Sequence, residues 1–259
     1  MTSSPAVRGS GVAEGSLGVI AGTGFYDLAY LQGAESIGIT TPYGEASAIV
    51  GTWHGRQAAF MSRHGTDHSV PPHMVNYRAN LWAMRELGVR EILAVNVVGG
   101  IGLAAGALAV PEDFLNYSHT RPITFFDGTT PEGVVHVDMS EPYNARLRSV
   151  WLQAAHECAE QVVDGGIYGC FDGPRFETRA EIRVAQSHGV TVVGMTGVPE
   201  VVLSVELGMP YACLCLVANP AAGLGDGEIT VDDVNAVVAS GAFRVTTILD
   251  RAAALLAAA

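Results

Sequence analysis

The chain has 259 residues, 49% of them apolar and 15% charged, with 26 acidic side chains against 14 basic ones and a formal net charge of −12. That length can bury one large core, and an acidic balance with no basic patch argues against nucleic acid as a partner. No apolar run approaches the ~18 residues that span a bilayer, no charged-then-apolar leader opens the chain, and Cys158, Cys170, Cys213 and Cys215 lack metal-ligand spacing. The expectation is a cytoplasmic protein with free, largely buried thiols, no metal and no membrane contact.

Residues 1–14 are small, polar and glycine-rich, a composition that predicts disorder, and 15–259 are expected to form a single domain. From there apolar runs bounded by glycine alternate with helical stretches. Strands are expected at 17–21, 58–61, 92–97, 166–171, 190–195 and 212–218, and helices at 76–87, 145–162, 179–188, 200–206 and 231–256. Such alternation predicts an α/β fold, a central mixed but mostly parallel sheet flanked by helices.

Gly22-Thr-Gly24 follows the first expected strand. A dinucleotide-binding loop needs a third glycine where Asp27 stands, and no acidic residue suitably closes a following strand, which disfavours a nicotinamide-dependent dehydrogenase. A turn whose amides and Thr23 hydroxyl hold one inorganic phosphate uses the same anion-binding physics without a cofactor. Arg63 and His64 follow the second strand, at a place where α/β proteins build sites, although an isolated Arg-His pair is ordinarily a surface feature. Met195, at the end of a buried strand, reads as core on composition alone. In Phe171-Asp-Gly-Pro-Arg-Phe-Glu-Thr-Arg179, Phe176 can stack on a flat heterocycle and Glu177 can accept from a ring N–H. Asn219, in Asn219-Pro-Ala-Ala-Gly223, offers both a donor and an acceptor, and the three together suit a 6-oxopurine. The glycine-rich stretch Ala221-Ala-Gly-Leu-Gly-Asp-Gly227 is a candidate lid.

Six ordered motifs carry a resemblance from about Gly18 to the last helix. They are Gly18-Val-Ile-Ala-Gly-Thr-Gly24, Arg63-His64-Gly65 with His68, Val75-Asn-Tyr-Arg-Ala-Asn80, Asn96-Val-Val-Gly-Gly100, Asp172-Gly-Pro-Arg-Phe-Glu-Thr178 and Met195-Thr-Gly-Val-Pro-Glu200. Together they resemble the trimeric purine nucleoside phosphorylase and methylthioadenosine phosphorylase family. The resemblance implies the nucleoside phosphorylase fold, a homotrimer or dimer of trimers, and phosphorolysis with inorganic phosphate as co-substrate and no other cofactor. It further implies phosphate contacts from Thr23, Arg63, His64, Thr196 and the backbone near Val97, and a place beneath the ribose for Met195.

At the sugar's 5′ end the family's 6-oxopurine enzymes carry a histidine where Val231 stands. Val231 and Val234 instead resemble the apolar edge of the methylthioadenosine enzymes, with His68 and His136 matching two histidines that line the 5′ pocket there, the second from a neighbouring subunit. The base site departs the other way, since Glu177 replaces a serine of those enzymes and Asn219 lacks their surrounding aspartates. The combination implies 5′-methylthioinosine as substrate, with Asn219 and Glu177 stabilising the departing purine and His64 helping to orient phosphate. Inosine and guanosine, or methylthioadenosine, remain the alternatives within the enzyme class, and a nucleoside-binding module the alternative outside it.

Overall fold

The structure is a computed structural model that describes residues 15–258 except 23, 26–29 and 66–68, so the stretch 1–14 lies outside the described residues. In chain order the elements are β1 (Ser16–Ala21), β2 (Gln32–Thr41), β3 (Gly44–Trp53), β4 (Arg56–Ser62), α1 (Tyr77–Glu86), β5 (Val89–Gly100), β6 (Leu108–Val110), β7 (Asp113–Asn116), α2 (Ala145–Glu157), β8 (Val162–Asp164), β9 (Ile167–Cys170), α3 (Arg179–Ser187), β10 (Val190–Gly194), α4 (Gly197–Glu206), β11 (Tyr211–Pro220) and α5 (Val231–Ala257). The strands form one mixed sheet, the fold class expected. Pairing is parallel at β1/β4, β1/β5, β5/β11, β9/β10, β7/β9 and β6/β8, and antiparallel at β2/β3, β3/β4, β5/β10 and β6/β11.

Period-2 alternation along the two central strands sorts the core into two layers. Ile92, Ala94 and Val98 of β5 and Tyr211, Cys213 and Cys215 of β11 pack with Leu81 and Met84 of α1 and Val201 and Leu203 of α4. Leu93 and Val95, with Ala212, Leu214 and Leu216, face Leu147 and Trp151 of α2 and Val245 and Ile248 of α5. Both strands are thus buried on two faces, which explains why they read as continuous apolar runs. Cys170, Cys213 and Cys215 are buried free thiols and Cys158 is half-buried. Among the described residues no helix is long and apolar enough to cross a membrane.

Side-chain caps fix where the helices start. Asn76 accepts from the Ala79 amide at 3.1 Å, Asn144 from Leu147 at 3.1 Å and Thr230 from Asp233 at 3.1 Å. Thr178 and Glu181 form a reciprocal capping box at the head of α3, which sets the direction of the segment carrying Phe176 and Glu177.

The fold differs from the sequence expectation at the end of α2 and at five strands, β2, β3, β6, β7 and β8, none of which was expected. The hairpin β2/β3 was not anticipated, because β2 is an exposed outer strand whose only apolar alternation is Ile37 and Ile39 among glycine and polar residues. Helix α2 ends at Glu157 rather than 162: the Ala159 amide donates to His156 O (3.0 Å) and the Glu160 amide to Ala155 O (2.9 Å), with Ala159 at φ 57°. That is a Schellman end built on alanine, without the glycine that usually announces it in a sequence.

The feature that positions the site is the edge of β5 opposite β11. β1 runs parallel to it and stops where Ala21 meets Val95, whereas β10 runs antiparallel and stops just after Val193 meets Gly99. The carboxyl ends of β1 and β10 therefore approach each other along one edge. Asn96, Val97 and Val98 lie between the two pairings, and the turns after β1 and β10 open there, a variant of the switch-point crevice of open α/β sheets.

Candidate active site

A cavity of about 490 Å³ occupies that opening, within the size range of small-molecule sites. Sheet ends and the turns after them supply one wall: Gly22 after β1, Arg63 and His64 after β4, Val97, Val98 and Gly99 of β5, and Met195 and Thr196 after β10. Asn219, near the end of β11, adds its amide at a register shift in the β5/β11 pairing. Pro174, Phe176 and Glu177 close one side, and Val70, Pro71, Pro72 and Val234 give an apolar stretch of wall.

Arg63 is 3% exposed and would be costly to bury alone. Its Nε and Nη2 donate to the two carboxylate oxygens of Glu200 at 2.7 Å each, and Nη1 donates to Val95 O at 3.2 Å. Tyr211 donates its hydroxyl to Glu200 Oε1 at 2.7 Å, which completes the network. Burial by itself lowers the guanidinium's hold on its proton, but the charge and hydrogen bonds of Glu200 more than offset this and keep Arg63 above its ordinary range. A guanidinium has five N–H groups, so one on Nη1 and one on Nη2 remain for a ligand. The absence of a side chain at position 22 lets Arg63 close in: a Cβ there would stand 3.1 Å from Nη1 and 3.7 Å from the His64 ring.

His64 donates from Nδ1 to Val70 O at 2.9 Å, and the Val70 amide donates back to His64 O at 3.0 Å, so ring and loop are clamped together. Thr196 is the residue before α4, with its side chain not engaged in capping. Val198 is extended, so the regular helix begins at Pro199, close to the expected start at 200, with Glu200 in its first turn. Asn96 is buried and neither its amide nitrogen nor its oxygen has a partner.

At the other end, Glu177 is buried while Phe176, 37% exposed, keeps its ring at the cavity surface. Burial pushes the Glu177 carboxyl above the usual carboxylate range, against a smaller downward pull from its own backbone amide. Asn219 donates from Nδ2 to Pro220 O at 2.8 Å, which fixes the amide plane and leaves Oδ1 and one N–H for a ligand.

The structure thus brings Arg63, His64, Val97, Phe176, Glu177, Met195, Thr196, Asn219 and Val234 to one cavity. Thr23 and His68 lie outside the described residues. The expectation that Val231 lines the pocket is not met within this chain. Val231 is the first residue of α5 and 64% exposed, whereas Val234, nearly one helical turn further on, reaches the cavity. His136 is exposed and does not line the cavity of its own chain. In the glycine-rich 221–227 loop Gly223, at φ 80°, sits so close to the Arg179 stem that a Cβ would lie 2.4 Å from its Cγ. Glu200 was missed as a functional residue. Its signal was a carboxylate inside the apolar run Val198-Pro-Glu-Val-Val-Leu203, where only a buried cation makes it tolerable.

Two expected outcomes follow from this geometry. Glu200→Gln leaves the Arg63 charge buried without its counter-ion and should lower unfolding free energy by about 3–5 kcal/mol in denaturant titration. A loss below about 1 kcal/mol, the scale of an exposed pair, would mean that Glu200 does not hold Arg63. For Glu177, a raised folded value means that its contribution to stability is full below the unfolded value and is lost as pH rises through the folded one. Glu177→Gln should therefore melt higher than the parent near pH 7 and converge with it towards about pH 4. A constant difference across that window contradicts the assignment.

A model of the phosphorylase superfamily matches residues 16–254. The chain is 50% identical over 222 residues to a probable S-methyl-5′-thioinosine phosphorylase of Methanothermobacter thermautotrophicus, covering 84% of this chain and 76% of that one. It is 43% identical over 220 residues to a probable 6-oxopurine nucleoside phosphorylase of Moorella thermoacetica, covering 84% of each. Among solved structures, methylthioadenosine phosphorylase from Schistosoma mansoni in complex with adenine superposes with a TM-score of 0.88 at 31% identity, over 95% of this chain and 93% of that one. With a matching family model across nearly its whole length and relatives at this level of identity, the chain belongs to the phosphorylase superfamily.

Proposed function

We propose that this protein is a pentosyltransferase that cleaves the N-glycosidic bond of a 6-oxopurine nucleoside with inorganic phosphate, its preferred substrate being 5′-methylthioinosine. The products are hypoxanthine and 5-methylthioribose-1-phosphate. One observation carries the reading: a buried carboxyl, Glu177, and an oriented carboxamide, Asn219, share a cavity with the Arg63–His64 pair. The family membership and the printed names of its relatives support the same reaction class.

Phosphate lies against the two remaining N–H groups of Arg63, with His64, Thr196, Thr23 and the backbone at Val97 as further contacts. As the C1′–N9 bond breaks, its electron pair passes into the purine, and a phosphate oxygen forms the new bond to C1′ from the opposite face. A proton from the phosphate or solvent is taken up at N7, where Asn219 Oδ1 accepts the resulting N–H and its free N–H donates to O6. Glu177 in its ionised form accepts from N1–H, and Phe176 stacks on the ring. Met195 underlies the ribose. No organic cofactor or metal enters the scheme.

At the 5′ end, Val70, Pro71, Pro72 and Val234 supply apolar wall, which favours a methylthio group over a hydroxyl. We assign the remaining 5′ contacts to His68 and, in a homotrimer, to His136 of a neighbouring subunit, an arrangement compatible with the exposure of His136 on its own chain. The chain is proposed to act in the cytoplasm as one domain.

Parallel assays of 5′-methylthioinosine, inosine, guanosine and methylthioadenosine with phosphate test the reading. A polar base site rejects a mispaired analogue by roughly 10⁴-fold, whereas an apolar pocket rejects an added hydroxyl by only about 10²-fold. The expected order of kcat/KM is therefore methylthioinosine first, inosine next and methylthioadenosine last. Methylthioadenosine ahead of methylthioinosine would overturn it, and release of no sugar phosphate from any of the four would favour a binding module.

A further inference from the structure

Arg121, in the segment between β7 and α2, belongs to none of the sequence motifs and does not line the cavity. Its side chain is 2% exposed, and among the described residues the one carboxylate paired with its charge is Asp172, at 3.7 Å from Nε. What it holds is backbone. Nη1 donates to Met195 O at 2.5 Å and to Val198 O at 3.0 Å, while Nη2 donates to Phe171 O at 3.1 Å and to Asp172 O at 2.5 Å. The guanidinium also lies 5.4 Å from the Tyr77 ring centre.

Those four carbonyls come from two separate segments. Phe171 and Asp172 open the loop that carries Phe176 and Glu177, and Met195 and Val198 flank Thr196 and lead into Glu200, which holds Arg63. Both terminal nitrogens are used on these carbonyls and Nε is buried without a hydrogen-bond partner among the described residues, and because Arg121 does not line the cavity it acts through the backbone it holds. The carrier segment is itself anchored to the base loop, since Thr120 Oγ1 donates to Asp172 Oδ1 at 2.8 Å and the His119 amide to Asp172 Oδ2 at 3.0 Å.

We propose that Arg121 is a positioning residue that sets the spacing between the base-holding loop and the phosphate- and ribose-holding turn. This rests on the proposed function for which ligand each segment holds. A planar guanidinium can bridge four carbonyls at a fixed separation, and an ammonium, with three donors at one point, cannot. Because reaction requires nucleophile, sugar and leaving group in one alignment, a misplacement of about 1 Å costs on the order of 10²-fold in rate.

The test uses the full-length chain with Arg121→Lys and Arg121→Met. Expected is a fall in kcat on the best nucleoside of about 10²-fold per folded molecule, with the KM for phosphate and the Kd for hypoxanthine each within about threefold of the parent. Parent-like kcat in a folded variant, or a rise in phosphate KM with kcat preserved, overturns the proposal. Arg121→Lys keeps the charge and most of the stem, and it decides if the Met variant does not fold. A crystal structure of Arg121→Lys gives a readout independent of turnover: the Asp172 and Met195 carbonyls should separate by about 1 Å, and unchanged spacing refutes the role. Failure of the parent itself to release sugar phosphate counts against the proposed function, leaving the structural readout to judge Arg121.

Discussion

Everything at the site follows from two strands meeting end to end along one edge of β5. Had β10 run parallel to β5, its carboxyl end would have pointed away from that of β1, and the turns after the two strands would not line one cavity. The antiparallel run of β10 turns both strand ends, and the turns after them, onto Asn96, Val97 and Val98. β11 pairs with the opposite edge of β5 along the same stretch and delivers Asn219 beside Gly99. The proposed constellation is thus a consequence of sheet topology first and of side-chain chemistry second.

The side chains then solve an electrostatic problem. A site for an anion needs a cation away from water, and a lone buried guanidinium is too costly to persist. Glu200 neutralises Arg63 from behind and leaves its front free, and Tyr211, whose hydroxyl burial and the Glu200 charge push far above its ordinary range, acts only as a donor to that carboxylate. At the base end the bias is opposite. Among the described residues Glu177 has no comparable counter-ion, and burial keeps its proton affinity raised. One end is pre-paired and the other awaits its ligand.

Much of this was legible in the sequence because the informative residues sit at the ends of apolar runs. Strands β1, β5 and β11 are buried on both faces and announce themselves by composition as continuous apolar runs. What failed to show was whatever depends on backbone or on long-range pairing. The hairpin β2/β3 is exposed and weakly patterned, and the end of α2 rests on an alanine in a conformation usually marked by glycine. Arg121 was invisible for a different reason: its partners are main-chain carbonyls about 50 and 75 residues away, and carbonyls leave no trace in side-chain identity. Val231 and Val234 came from the same match by position, and in this chain the second lines the cavity while the first is exposed at the head of α5.

The central claim is that one cavity holds phosphate at Arg63 and a 6-oxopurine at Glu177 and Asn219. A crystal structure of the protein with hypoxanthine and inorganic phosphate tests it directly. The account predicts phosphate oxygens within about 3 Å of Arg63 Nη1 and Nη2, and the purine's N1 and N7 at similar distance from Glu177 and Asn219 Oδ1. Hypoxanthine seated away from Glu177, or phosphate away from Arg63, would contradict it.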